Sequence, residues 1–169
     1  DTLRGMRLSV ISLSLTAVLG IVMASAYANG TFSLSHDAIR ASHYSLGLIG
    51  WIGTLIIAVA FQVIEMFYVT TPYSAWCKHN AFRIITAALV LKISFLFLGW
   101  TYAWLFDLVI AALLAGFAVT TLRRVKERKR RVSDVSIWFW SLGTTLLLLA
   151  VAVHTAYLFS RVDALETIA

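Results

Sequence analysis

Five long apolar segments set the strongest constraint on how this 169-residue chain can fold. An α-helix needs about 20 apolar residues to cross the hydrocarbon core of a bilayer, and each segment reaches that length. Charged residues make up 13% of the chain, which is about half of what a soluble domain carries. The sequence therefore predicts an all-α membrane protein, a bundle of about five transmembrane helices in a single domain, 1–169. The predicted spans are about 6–28, 42–69, 81–100, 103–122 and 136–159.

The distribution of basic residues predicts the orientation of these helices. The run RRVKERKRR at 123–131 follows the fourth segment, and cytoplasmic loops of membrane proteins collect Lys and Arg. Counting outward from this loop places the N-terminus inside and the C-terminus outside. The net charge of +6 is thus a topology signal and does not indicate a nucleic-acid partner. We expect a bacterial inner-membrane protein, and a chain that begins with Asp1 leaves open a longer parent protein.

The second segment carries polar and small residues along one side. Each residue of an α-helix advances about 100°, which brings these side chains within about 40° of one line. Small residues let membrane helices approach closely, so one interpretation is helix packing. The other is a groove for a large flat ligand, reached from its outer end by a histidine. The residues on this side are His36, His43, Gly47, Gly50, Thr54, Phe61 and Glu65.

Two histidines, His43 and His154, are predicted to lie in the outer half of membrane helices. Two neutral imidazoles that face each other can ligate a haem iron from both sides. Small residues near a ligand leave room for the macrocycle, and interfacial arginines can bind its propionates. This reasoning predicts a b-type haem, with His43 and His154 on the iron, Gly47 and Gly50 beside the ring, and Arg40 and Arg161 on the propionates. The alternative for His154 is a neutral histidine bonded to a neighbouring helix.

Three further ionisable residues fall within the apolar segments. Glu65 lies near the inner end of the second segment and Lys92 midway along the third, so we expect them to form a structural ion pair. The alternative is a proton or substrate path in a transporter. Asp107, near the outer end of the fourth segment, is expected to be solvated or paired locally.

The stretch HYSLGLIGW at 43–51 resembles the H-x-H-x-G-x-x-G-W helix of haem–copper oxidase catalytic subunits, especially the cbb-type oxidases. His43, Gly47, Gly50 and Trp51 match that pattern. In that family the first histidine ligates the high-spin haem and the second the low-spin haem. The resemblance therefore implies an axial ligand at His43, while Ser45 stands where the second ligand would be. The stretch is also similar to bacterial multi-spanning proteins with H-x-x-x-G-L-x-G-W.

These observations lead to one main functional hypothesis and two alternatives. The main hypothesis is a haem-binding membrane protein related to terminal oxidases, an electron-transfer or oxidase-like subunit that is not catalytic alone. The alternatives are a non-catalytic structural subunit of a membrane complex and a transporter. The expected partners are the lipid bilayer and other membrane subunits, and the sequence does not decide whether the chain is part of an enzyme.

Overall fold

The computed structural model describes residues 2–30, 36–129 and 135–166, with the side chains of 161–166 excepted. Helices make up almost all of these ranges, and no strand occurs within them. The α-helices are α1 (Thr2–Asn29), α2 (His36–Ser45), α3 (Thr54–Tyr68), α4 (Ala75–Phe97), α5 (Trp104–Lys126) and α6 (Val135–Glu166). A π-helix (Leu46–Gly53) joins α2 to α3, and a 3-10 turn (Thr101–Ala103) precedes α5.

Within the described ranges, five helical stretches are long and apolar enough to cross a membrane, which confirms the predicted fold class. They are Thr2–Asn29, His36–Tyr68, Ala75–Phe97, Thr101–Lys126 and Val135–Ser160. The chain is an integral membrane protein. The third stretch begins at Ala75, earlier than expected, because the Ser74 hydroxyl accepts a hydrogen bond from the Cys77 amide and caps the helix there.

The chain divides into two compact units, with α3 and α5 each contributing to both. The first unit comprises Asp1–Gln62 and Ser74–Asp107. Its core includes the rings of Phe61 and Phe82, whose centroids lie 5.9 Å apart in an edge-to-face arrangement.

The second unit comprises Val63–Tyr73 and Leu108–Ala169. Tyr73 is buried there against Phe117, with stacked rings 6.4 Å apart, and its hydroxyl lies 2.8 Å from the Thr121 hydroxyl. Two buried hydroxyl groups are thus paired with each other, as an apolar environment demands.

The second membrane stretch is not the continuous α-helix that the sequence predicted. The π-helix Leu46–Gly53 interrupts it and contains three of the chain's nine glycines. Glycine disfavours the regular α-helix, and π segments are rare and occur frequently at functional sites. The hydroxyl of Thr54, the first residue of α3, donates to the carbonyls of Gly50 and Trp51.

Candidate functional site

His43 lies on α2 with its imidazole directed at α1. Its Nδ1 is 3.0 Å from the backbone carbonyl oxygen of Thr16. Because a carbonyl can only accept, Nδ1 carries the proton and donates it, and in a neutral ring of this tautomer the lone pair is on Nε2. The imidazole can approach α1 this closely because residue 20 is a glycine. A Cβ on Gly20 would lie 3.2 Å from Cε1 of His43. The imidazole is half-buried and oriented by α1.

The small residues that follow His43 also face α1. A Cβ built on Gly50 would lie 2.7 Å from the Ser12 hydroxyl oxygen and 2.9 Å from the Ser12 Cβ. A Cβ on Gly47 would lie 3.3 Å from the Thr16 methyl group. The contacts on this side of the second stretch are therefore those of close helix packing. A flat ligand in the same groove would have to displace the side chains of α1.

The N-terminal end of α2 carries a group of polar residues. Arg40 donates to the carboxylate of Asp37 at 3.0 Å, and both side chains are largely exposed. The ring of His36 places Nε2 2.6 Å from the hydroxyl of Tyr27 on α1. Arg40 thus stands close to His43 in sequence and remains accessible, while the side chain of Arg161 lies outside the described residues.

His154 is exposed on the surface of α6. It borders a shallow apolar groove together with Leu146, Leu149, Ala150, Val153 and Tyr157. It belongs to the second compact unit and His43 to the first, so their joint ligation of one iron stays a prediction. Within the described ranges, no three His, Cys, Asp or Glu residues gather in a group that could hold a metal ion.

The predicted ion pair between Glu65 and Lys92 is wrong. The ammonium of Lys92 lies 2.5 Å from the carboxylate of Asp107 and 3.0 Å from the hydroxyl of Ser45. Glu65 instead accepts a hydrogen bond from the backbone amide of Tyr73 at 2.7 Å. That bond closes the turn after α3, where Val69 adopts a left-handed φ of 48°.

Sequence reasoning singled out Lys92 and Asp107 but missed the cluster that Lys92 forms with Asp107, Ser45 and Tyr44, called the Lys92 cluster below. Lys92 is 7% exposed, and its ammonium also lies 6.0 Å from the centre of the Tyr44 ring. One signal could have indicated its partner: Lys92 and Asp107 stand seven and eight residues from Gly99, in the turn between α4 and α5. Residues equally far from the turn of an antiparallel helical hairpin lie at the same depth. Their pairing satisfies two charges that a bilayer would otherwise penalise.

The long apolar helices define an integral membrane protein of the all-α class. Comparisons with family models, curated proteins and solved structures found no significant match.

Proposed function

We propose that this chain is a haem-binding membrane subunit, related to terminal oxidases, in which Nε2 of His43 is an axial ligand of a b-type haem. One observation supports it most directly: Nδ1 of His43 donates to the Thr16 carbonyl at 3.0 Å. Metal-ligating histidines almost always donate their other ring N–H to a carbonyl or carboxylate, which sets the tautomer and the orientation of the ring. His43 has the tautomer that such ligation needs.

Of the other residues predicted to bind the haem, Gly47 and Gly50 do not leave room for it, whereas Arg40 is accessible to it. Gly47 and Gly50 contact α1, and the side chains of Ser12 and Thr16 occupy the groove beside them. A haem macrocycle could enter this groove only if these two side chains moved away. Arg40 is exposed enough to exchange Asp37 for a propionate. A bound haem would supply one-electron transfer, and this chain would ligate it, orient it and keep it in an apolar environment.

The second axial ligand comes from His154 or from another subunit. Ser45 occupies the place of the second histidine in the oxidase pattern, and a serine hydroxyl is not a usual haem ligand. We place the protein in a bacterial inner membrane, with its N-terminus in the cytoplasm and its C-terminus outside. This orientation puts the exposed outer end of α2 beside the periplasm, where it can meet an electron-donor or partner subunit.

A second candidate function is that of a non-catalytic structural subunit. The close approach of Gly50 to Ser12 favours it, because this approach explains the small residues without any ligand. In that case the hydrogen bond from His43 to Thr16 only joins α1 to α2.

A visible absorption spectrum of the protein, purified in mild detergent with its partner subunits, separates the two candidates. We expect a sharp α-band on reduction, which His43→Ala abolishes or greatly weakens. The matched controls His36→Ala and His79→Ala should leave the band intact. Retention of the band in His154→Ala would assign the second ligand to another subunit. A preparation without haem would exclude the first candidate and leave the structural subunit.

A further inference from the structure

We propose that Lys92 is a positioning residue for His43. By binding Ser45, it sets the rotation of α2 and thereby keeps the imidazole of His43 on the Thr16 carbonyl. The proposal deepens the role of His43 given above and rests on it. The observations behind it are the two hydrogen bonds of the Lys92 ammonium and the hydrogen bond of the His43 ring.

The hydrogen bonds of His43 with Thr16 and of Ser45 with Lys92 lie on opposite sides of the same turn of α2. His43 and Ser45 are two residues apart, which corresponds to about 200° around an α-helix. The His43 side of α2 is held by α1, through Thr16, and the Ser45 side is held by α4, through Lys92. A helix that is held on one side only can roll about its axis, whereas contacts on both sides define its rotation.

The end of α2 needs such support because the π-helix starts at Leu46, directly after Ser45. At this junction the backbone hydrogen bonds change from the i→i−4 to the i→i−5 pattern, so the regular ladder that would stiffen a continuous helix is interrupted.

Lys92 is itself firmly placed. Its ammonium binds the carboxylate of Asp107, in the first turn of α5, at 2.5 Å, and the side chain of Lys92 is 9% exposed. The groups that meet it are Asp107 from α5 and, from α2, the Ser45 hydroxyl and the Tyr44 ring. The side chains of Lys92 and Asp107 are 9% and 19% exposed, so little water can compete for these bonds.

The test uses haem-free protein with ¹⁵N-labelled histidine. The ring nitrogen signals report which nitrogen is protonated, and the four histidines can be assigned by single substitutions. We expect wild-type His43 to show one tautomer with the proton on Nδ1. Lys92→Met and Ser45→Ala should replace this signal with one averaged over both tautomers. Lys92→Arg should restore the single tautomer, and Lys126→Met, which removes an exposed lysine, should have no effect.

Each outcome supports or overturns the proposal. The proposal is overturned if Ser45→Ala keeps the single Nδ1–H tautomer of His43. It is also overturned if the His43 signal of the wild-type protein is already averaged over both tautomers. If Lys92→Met fails to fold, Ser45→Ala still decides, because it removes only one hydroxyl group. A Lys92-dependent tautomer in a protein that never binds haem would exclude the haem function and retain the positioning role. If the protein binds haem but the tautomer of His43 is unchanged in Lys92→Met and Ser45→Ala, the haem function is retained and the positioning role is excluded.

Discussion

The close approach of the π-helix to α1 makes Gly50→Ala a sensitive test of the packing. The new Cβ would lie 2.7 Å from the Ser12 hydroxyl oxygen, 2.9 Å from the Ser12 Cβ and 3.3 Å from a methyl group of Leu89. The hydroxyl can rotate away, but the Ser12 Cβ is attached to the α1 backbone and cannot. The helix α1 must therefore move outward, and overpacking of this kind costs about 1–3 kcal/mol of unfolding free energy.

The chain offers a matched control in Gly116 on α5. A Cβ there meets no atom within 4 Å, so Gly116→Ala adds a methyl group without a clash. Alanine is favoured over glycine inside a helix by about 0.5–1 kcal/mol, and this substitution should therefore be neutral or stabilising. The two alanine substitutions are thus expected to change the unfolding free energy in opposite directions.

The assay is reversible unfolding in mixed micelles, with the free energy taken from a denaturing-detergent titration. Second-site substitutions at Ser12 should relieve Gly50→Ala in steps. Ser12→Ala removes only the 2.7 Å contact and should recover part of the loss, while Ser12→Gly also removes the 2.9 Å contact and should recover most of it. If Gly50→Ala is as stable as Gly116→Ala, or if the losses at Gly50 and Ser12 simply add, α1 does not pack against the π-helix as described.

Two further predictions concern the turn after α3 and the orientation in the membrane. Glu65→Ala should lower the unfolding free energy by about 1.5–3 kcal/mol, because the charge-assisted bond to the Tyr73 amide is lost. Thermal unfolding can show this, with the exposed Glu127→Ala as a control; equal midpoints for the two variants would contradict the bond. A cysteine at Ser133, in a Cys77→Ser background, should react with an impermeant reagent only from the cytoplasmic side, and labelling from outside would reverse the topology.

The membrane-spanning helices were predictable because their signal is local. Each segment meets the length and hydropathy requirement by itself, whatever the neighbouring segments do. The interruption at Leu46–Gly53 was not predicted, since glycine is common in transmembrane helices and only the observed hydrogen bonds distinguish a π-helix from a loosely packed α-helix. The candidate site was predictable in part: His43 was identified, but the Thr16 carbonyl that orients it has no signature in the side-chain sequence.

The sequence by itself determined that this is an all-α membrane protein, whose described residues include five helices long and apolar enough to cross a membrane. It also indicated that the side of the second span with His43 and Gly50 would contact a neighbouring helix or a ligand. Only the tertiary structure decided that α1 fills that side and that Lys92 binds Asp107 and Ser45 instead of Glu65. The physical reason is that insertion into a bilayer depends on the summed hydrophobicity of one segment. The partner of a buried charge depends on the rotation and depth of every helix around it, and no single segment encodes that arrangement.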